Sequence, residues 1–138
     1  MSEIIYKYTS APRPTPAPYA IRWLTADDHA VYNAHLALCG QRSVSEDLWR
    51  EIYADGTRYC GLFEGGVMTS RACIEPLSAD VWEIADVRTA RDFRGRGQAC
   101  AVCEFVLCEI LSAGKIPSIR TEEDNLAMQR VIEKLGFI

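Results

Sequence analysis

The sequence predicts one α/β domain in which helices flank a mixed central sheet, an antiparallel meander joined to one parallel β-α-β crossover. Three observations carry this prediction. The chain has 138 residues, 49% of them hydrophobic and 25% charged, which suits a single globular domain with its own core. Three apolar segments in its middle are separated by short turns. A glycine-rich turn then precedes an apolar helix, another strand and a last helix.

The first 18 residues differ in character from the rest. "IIYKYTS" alternates between apolar and polar residues, which predicts a strand, and "APRPTPAP" predicts an extended connector. We therefore divide the chain into an N-terminal strand with its proline-rich connector, residues 1–18, and a main domain, residues 19–138. "YAIRWLT" predicts the first strand of that main domain.

Two helices should follow that strand. Thr25 and Asp28 form a capping pair, which predicts a helix over about residues 26–39. Ser43 and Glu46 form an S-x-x-E box, which predicts the start of a second helix. The apolar residues behind this box recur at helical spacing: Leu48, Trp49, Ile52 and Tyr53.

The second half of the chain predicts the meander and the crossover. "RYCGLF", "VMTSRACIEP" and "VWEIADVRT" are three strands joined by the turns "EGG" and "LSAD". A helix over "QACAVCEFVLCEILSAG" leads to the strand "IPSIRT", which should lie parallel to the strand before the glycine-rich turn. A last helix, capped by Asp124 or Asn125, carries one apolar face: Met128, Val131, Ile132 and Leu135.

Charge and composition narrow the class of function. The net charge of −4 disfavours a general nucleic-acid binder, because phosphate binding needs a basic field. No apolar run approaches the ~18 residues that cross a bilayer, and the start of the chain has no basic segment before an apolar core. We therefore expect a cytoplasmic protein that binds neither nucleic acid nor a membrane.

The cysteines and histidines do not predict a metal site. Six cysteines lie in apolar settings, and we expect them to be reduced, small core residues. Cys100 and Cys103 form a C-x-x-C pair, but a second ligand pair is absent, so packing inside a helix is the favoured interpretation. His29 and His35 are six residues apart on one helix, hence on different faces, and we expect them at the surface or half-buried.

The stretch "FRGRGQAC" carries the main functional signal. A glycine-rich turn that opens a helix presents unpaired backbone N–H groups at the positive end of the helix dipole. Gly95 and Gly97 let an anion approach the backbone, while Arg94 and Arg96 add positive charge, which favours a nucleotide-like diphosphate. A phosphate loop and a G-x-G-x-x-G motif are both excluded, since G-K-[ST] is absent and Cys100 stands at the last glycine position. By itself the stretch is equally compatible with a solvated basic turn.

With its context, the stretch resembles the GNAT acetyltransferase superfamily. The signature R or Q-x-x-G-x-G or A is met by Arg94, Gly97 and Ala99, and "VRT" and "N…EKLGF" match as well. The resemblance is specific over about residues 81–137. It implies acetyl-CoA as co-substrate, with its pyrophosphate on the loop amides, its pantetheine arm along the preceding strand and a contact from the last helix. The implied cofactor-binding residues are Val87, Arg88, Thr89, Arg94, Gly95, Arg96, Gly97, Gln98, Ala99, Cys100 and Asn125.

Acyl transfer to an amine needs a base, because an amine with a pKa near 10.4 is mostly protonated at neutral pH. Glu83 is eleven residues before Arg94, and a catalytic glutamate stands at that spacing in the histone-modifying branch of the family. The alternative is that Glu83 is an outward-facing carboxylate on a strand. By strand alternation Asp86 should point to the opposite sheet face, and it becomes the candidate if Glu83 faces away from the cleft.

The sequence also departs from the family pattern. Ile132 stands where the family usually has a tyrosine that protonates the departing thiolate, and Arg120 stands where a glutamate is sometimes found. The family usually continues beyond "LGF" with further strands, which would leave a sheet edge unpaired here. We expect residues 4–8 to pair with that edge, within the chain or by exchange in a homodimer.

The leading functional prediction is an N-acetyltransferase that moves an acetyl group from acetyl-CoA directly to a small-molecule or peptide amine. Its acceptor should bind between the first two helices, near "CGQRSVS", and the strand before the glycine-rich turn. The net acidic charge favours a cationic acceptor. An acyl-CoA-binding module with little or no turnover is the alternative, and a structural domain without a ligand is the third.

Overall fold

The computed structural model describes residues 3–8 and 19–138, so the whole proline-rich connector lies outside the described residues. The described residues form six strands and four α-helices. In chain order these are β1 (Glu3–Lys7), β2 (Ala20–Trp23), α1 (His29–Leu38), α2 (Glu46–Ala54), β3 (Arg58–Glu64), β4 (Val67–Pro76), β5 (Val81–Thr89), α3 (Gln98–Ser112), β6 (Ile116–Glu122) and α4 (Leu126–Leu135).

All six strands form one sheet in the order β1-β6-β5-β4-β3-β2. β2 to β5 are antiparallel neighbours, and β5 pairs with β6 in parallel across the α3 crossover. This confirms the predicted mixed sheet. β1 lies antiparallel on the outer edge of β6, with Ile5 opposite Arg120, and Lys7 exchanges backbone hydrogen bonds with Ile138. The first strand therefore occupies the expected edge, and it does so within one chain.

Helices cover the two faces of the sheet unequally. On one face α3 and α4 bury a continuous core, in which Ile84 and Ile119 of the sheet meet Val102 and Ile132 of the helices. On the other face α1 and α2 enclose a smaller aromatic cluster around Trp49, which is 0% exposed and whose ring lies 4.6 Å from that of Tyr32. The second cluster lies over β3 and β4, whereas the candidate site described below lies at β5.

The helix starts are set by local caps. Thr25 and Asp28 form the predicted capping box, although the first turn, Ala26–Asp28, is a 3₁₀ turn before α1 begins. The predicted box at Ser43 is wrong, because Ser45 caps α2 instead: its hydroxyl accepts the Leu48 N–H at 3.1 Å.

The prediction that both histidines are exposed or half-buried is wrong for His35. Its ring is 1% exposed, and its Nδ1–H donates to the Met68 carbonyl at 3.0 Å. Burial disfavours the charged imidazolium, so the pKa of His35 falls to about 4. A single histidine between apolar neighbours gives no sequence signal for such a buried hydrogen bond.

None of the six cysteines forms a disulfide, but they are not all core residues. Cys60, Cys73 and Cys103 are buried, and burial raises the pKa of each thiol. Cys108 is exposed, so its prediction as a core residue is wrong. Because α3 is apolar on nearly all sides, its sequence could not define which of its cysteines faces outward.

Two further observations concern the described part of the chain. None of its helices is long and apolar enough to cross a bilayer. Likewise, residues 3–8 and 19–138 contain no group of three or more His, Cys, Asp or Glu side chains placed to hold a metal ion.

Candidate active site at the split of the sheet

The central feature of the site is the divergence of two parallel strands. β5 pairs with β6 only over Val81–Ile84, opposite Ile116–Ile119. Beyond these residues β5 continues beside β4 and β6 continues beside β1, so the two strands separate. The backbone edge of β5 that faces β6 is therefore left without a strand partner after Ile84.

A cavity of about 590 Å³ opens at this split, beside the glycine-rich turn. It lies between the end of β5, the N-terminus of α3 and one face of α4. Ten of the eleven residues predicted to bind the cofactor line it: Val87, Arg88, Thr89, Arg94, Gly95, Gly97, Gln98, Ala99, Cys100 and Asn125. The structure thus brings together residues from three separate elements.

The N-terminus of α3 opens onto this cavity. Gly97 is the residue before the helix, and its φ of +78° is a left-handed conformation that side chains other than glycine rarely adopt. A Cβ atom built there would meet no protein atom within 4 Å, so the space before it is open. Within residues 3–8 and 19–138, the backbone N–H groups of Gly97, Gln98 and Ala99 donate to no protein acceptor.

Side chains of the turn hold the helix start in place. Gln98 is 1% exposed, its carbonyl accepts the Thr69 hydroxyl at 2.7 Å, and its amide donates to Glu64. Arg94 Nε donates to the Thr89 carbonyl at 3.0 Å, which ties the turn to the end of β5. Buried polar contacts of this kind stiffen the backbone that presents the amides.

Arg96 is the one predicted cofactor-binding residue that does not line the cavity. Its guanidinium lies 3.3 Å from Glu64 and 5.1 Å from the centroid of the Phe93 ring. The Tyr19 hydroxyl donates to its backbone carbonyl at 2.6 Å. The side chain of Arg96 therefore braces the turn from outside the cavity.

The cavity is strongly basic although the chain as a whole is acidic. Four cationic side chains line it: Arg88, Arg94, Arg130 and Lys134. Within the described part of the chain, no aspartate or glutamate contributes to its wall. Amides at a helix N-terminus together with clustered cations form a site for an anion that carries several charges.

Asn125 connects the cavity to α4. Its side-chain oxygen caps the helix by accepting the Met128 N–H at 3.1 Å, which confirms one of the two predicted caps. It also lines both the large cavity and a smaller one, of about 140 Å³, directly in the split. Ile132, at the position of the family's usual tyrosine, is 0% exposed in the core.

Glu83, the predicted catalytic residue, lies in the paired half of β5. Its side chain is 8% exposed, its two carboxylate oxygens share the single Arg120 Nε–H at 3.1 Å each, and it accepts the Ser118 hydroxyl at 3.2 Å. Among the described residues it lines neither cavity, although Arg120 lines the smaller one. Sequence reasoning missed this pair, because only the parallel register of β5 and β6 brings Arg120 beside Glu83.

The prediction that Asp86 points away from the sheet face of Glu83 is wrong. β5 has a bulge opposite β4 between Arg71 and Cys73, and Asp86 has a φ of +48° within it. The extra residue turns Asp86 onto the face of Glu83. There it accepts the Tyr59 hydroxyl at 2.6 Å and the Arg71 guanidinium at 3.0 Å, while its side chain stays 42% exposed and lines the smaller cavity.

Comparisons with known proteins bear on the family of this chain. The model of the Acetyltransferase (GNAT) family matches residues 9–137. A comparison with curated protein sequences finds none that matches the chain. Among solved structures, a GNAT-family protein from Novosphingobium aromaticivorans described as a putative acetyltransferase aligns over 99% of this chain and 58% of its own, at 20% identity and a TM-score of 0.77.

Two further structures share the fold. AAC(6')-Iy, in complex with the bisubstrate analog CoA-S-monomethyl-acetylneamine, aligns over 88% of this chain and 92% of its own, at 18% identity and a TM-score of 0.72. The ribosomal-protein-S18-alanine N-acetyltransferase from Escherichia coli aligns over 86% and 77%, at 18% identity and a TM-score of 0.70. This chain spans 52 to 58% of the length of the first structures it matches. With a family match over nearly all its length, a mixed sheet split after Ile84 and open amides at Gly97, the chain belongs to the GNAT acetyltransferase family.

Proposed function

We propose that this protein is an N-acetyltransferase that moves an acetyl group from acetyl-CoA directly to an amine. One observation carries the proposal: the free amides at the N-terminus of α3 open into a basic cavity that is continuous with the unpaired edge of β5. A cofactor with an anionic end and a peptide-like arm fits such a site. The acetyltransferases of the same fold, including one bound to a CoA-containing analog, support the same assignment.

The proposed pose of acetyl-CoA uses the geometry of each wall. The pyrophosphate accepts the N–H groups of Gly97 to Ala99, with Arg94 beside it. The pantetheine arm pairs with the free edge of β5 over Val87–Thr89, as a neighbouring strand would. Asn125 contacts the cofactor from α4. The volume of about 590 Å³ is in the range typical of small-molecule sites, ~300 to 1,000 Å³.

In the proposed reaction, the lone pair of a neutral amine attacks the thioester carbonyl at the split. A backbone N–H in this part of β5 stabilises the oxyanion, the C–S bond breaks, and the amine loses one proton as the thiolate gains one. The carboxylate that receives the amine proton is Glu83 or Asp86. Each carboxylate has an arginine partner, Arg120 for Glu83 and Arg71 for Asp86, but Asp86 is 42% exposed and lines the cavity in the split, which favours Asp86.

The leaving thiolate needs no protein acid in this scheme. A thiol with a pKa near 8.5 can leave as the thiolate and take its proton from water. Because buried Ile132 cannot donate a proton, we expect a turnover ~10² to 10⁴ lower than with a positioned general acid.

The acceptor is proposed to enter on the sheet face of α1 and α2, where Asp86 borders the split. A fixed carboxylate there favours a cationic amine over a neutral nucleophile. The two relatives named above indicate by their own names a small aminoglycoside-like acceptor and a protein acceptor. Both classes therefore belong in the test.

An acyl-CoA-binding module without turnover is the second candidate. Two observations favour it over an enzyme: Ile132 cannot donate a proton, and Glu83 is ion-paired with Arg120. Both candidates predict the same cofactor site, so only turnover separates them.

The test combines calorimetry with acetyl-CoA and a thiol-release assay over alkyl monoamines, diamines, aminoglycosides and peptides with a free N-terminus. The enzyme proposal predicts binding and thiol release that depends on the amine. Binding without release across the panel selects the binding module. Absence of binding rules out both. Glu75→Gln, an exposed carboxylate paired in register with Glu83 on β4, is the matched control for variants of Glu83 and Asp86.

A cytoplasmic location and a homodimer stay predictions. Six free thiols without a disulfide support a reducing compartment. The N-terminal strand pairs within one chain, so a dimer is not needed to complete the sheet. Analytical ultracentrifugation of the full chain tests the dimer.

A further inference from the structure

Two ion pairs lie on one face of the sheet at the split, and each has one buried and one exposed member. The side chain of Glu83 is 8% exposed, whereas that of its partner Arg120 is 36% exposed. In the other pair the side chain of Arg71 is 3% exposed, whereas that of its partner Asp86 is 42% exposed. The exposed members therefore have opposite signs, a guanidinium on β6 and a carboxylate on β5.

The two exposed members, Asp86 and Arg120, line the same small cavity in the split, of about 140 Å³. Within residues 3–8 and 19–138, no other charged side chain lines this cavity. Opposite charges on two walls of one small cavity are complementary to a ligand that itself carries both charges a short distance apart.

The hydrogen bonds of the two arginines show which one has donors left for a ligand. The Nε and one terminal nitrogen of Arg71 donate to Asp86, and its other terminal nitrogen donates to Gln41 at 2.9 Å. Arg120 donates to Glu83 through Nε, and in the described part of the chain neither of its terminal nitrogens donates to a protein acceptor. A guanidinium has five N–H donors, and the two terminal nitrogens form a planar fork that binds a carboxylate through two parallel hydrogen bonds. Arg120 therefore has a complete fork available for a carboxylate.

Asp86 provides the acidic side of the cavity. Its two carboxylate oxygens accept the Tyr59 hydroxyl at 2.6 Å and two N–H groups of Arg71 at 3.0 and 3.3 Å. A carboxylate has about four acceptor sites, so among the described residues these three hydrogen bonds leave one for a ligand. The three contacts also fix the orientation of the carboxylate that would receive an ammonium group.

We propose that the acceptor is an amine that also carries a carboxylate, as a free α-amino acid does, with its ammonium group at Asp86 and its carboxylate on the terminal nitrogens of Arg120. This inference rests on the proposed function, because the amine must meet the thioester at the split. Glu83 holds the Arg120 side chain through Nε and leaves its fork open. Arg120 thus selects the acceptor and orients its amine, while Asp86 accepts the amine proton.

The experiment compares acceptors that differ only in the charge of the carboxyl group. The standard α-amino acids and their α-carboxamides are assayed by thiol release from acetyl-CoA with wild type, Arg120→Lys and Arg120→Gln at fixed low salt. The readout is the ratio of kcat/KM for each acid to kcat/KM for its amide. Within one protein this ratio does not depend on the folded fraction of a variant. Comparing the ratio between proteins cancels the difference in amine basicity between acid and amide.

We expect Arg120→Gln to lower the ratio about tenfold or more, because a charge-assisted pair of hydrogen bonds to the acid is lost. Arg120→Lys should lower it less, since lysine keeps the charge but not the fork. Arg58→Gln is the control, because Arg58 is similarly exposed, is paired with Glu109 at 3.4 Å and lines neither described cavity. This control should keep the wild-type ratio.

An unchanged ratio in Arg120→Gln overturns the inference even where both rates fall, because Arg120 would then act on the thioester or on the fold. Acetylation of other amines by wild type, with no reaction of any amino acid, also overturns it while the proposed function stands. Thiol release with no amine at all overturns the proposed function and, with it, this inference.

Discussion

The two halves of β5 lie in one strand but have opposite roles. Val81–Ile84 is hydrogen-bonded to β4 on one side and to β6 on the other. Its carboxylate, that of Glu83, accepts hydrogen bonds from Arg120 and Ser118. Ala85–Thr89 is bonded to β4 alone, carries a bulge with Asp86 in a left-handed conformation, and borders both cavities. We call these the closed half and the open half.

The comparison shows where a ligand can add to the fold. In the closed half both backbone edges and the Glu83 carboxylate already have protein partners, so a ligand would have to displace one. At the open half and the cavity beside it, among the described residues, one edge of β5 and three helix amides lack such partners, and of the four cations there only Arg94 has one, the Thr89 carbonyl. A left-handed backbone conformation at a residue other than glycine, as at Asp86, costs ~1 kcal/mol or more and is typical of functional sites. The unpaired hydrogen-bonding groups at the open half are therefore available to bind a ligand.

The largest effect is expected from Gly97→Glu, which blocks the proposed pyrophosphate site beside the open half. The side chain places bulk and negative charge where the pyrophosphate should lie, and we expect coenzyme A affinity to fall by about a hundredfold or more. Calorimetry measures the loss. Gly114→Glu, with a φ of +73° and open space at the other end of α3, imposes the same backbone strain and should bind normally. Normal binding by Gly97→Glu would contradict the assigned site.

The next largest effect is on kcat, and it distinguishes whether Asp86 or Glu83 accepts the amine proton in the acyl-transfer step. Asparagine tolerates the left-handed backbone of Asp86, and Asp86→Asn should lower kcat by ~10² if Asp86 accepts the amine proton. Because the variant leaves buried Arg71 without its carboxylate, circular dichroism checks that it folds. Glu83→Gln should lower it less, because the Glu83 side chain is 8% exposed and lines neither described cavity. Thiol-release kinetics over a range of pH measure both. The reverse order would assign the catalytic role to the closed half.

A smaller effect, on stability, is expected from breaking the Glu83–Arg120 ion pair of the closed half. Arg120→Met leaves the Glu83 carboxylate buried without its cation, which should lower the free energy of unfolding by about 2 kcal/mol. The double variant with Glu83→Gln should recover most of this loss. Urea denaturation of the three proteins measures it. Equal stability of the single and double variants would show that the pair is not closed in solution.

The smallest effect concerns His35, a buried group that no ligand reaches. Its folded pKa of about 4 is below the unfolded value of ~6.5, so the unfolded chain binds more protons between these values. Stability should therefore be complete above pH 6.5 and fall by about 1 to 2 kcal/mol between pH 7 and pH 5 through this group. His35→Gln should flatten that part of the pH profile. An unchanged slope would mean that the pKa of His35 does not differ between the folded and unfolded chain.

The sequence predicted the glycine-rich turn and the helix starts better than it predicted the two carboxylates of β5. Arg94, Gly97 and Asn125 act through local backbone geometry, a turn and two helix starts, and such geometry is encoded within a few residues. The pairing of Glu83 with Arg120 needs the register of two strands that are 37 residues apart at these positions. The orientation of Asp86 needs a bulge that strand alternation cannot anticipate. Long-range register and bulges therefore account for the errors at the candidate site.

The most direct test of the central claim follows the backbone amides themselves. In ¹H–¹⁵N spectra recorded during a titration with coenzyme A, the N–H signals of Gly97, Gln98 and Ala99 should shift downfield as they bind the pyrophosphate, while those of Glu83 and Ile84 in the closed half stay in place. Saturable binding without shifts at these three amides, or no binding, would contradict the account.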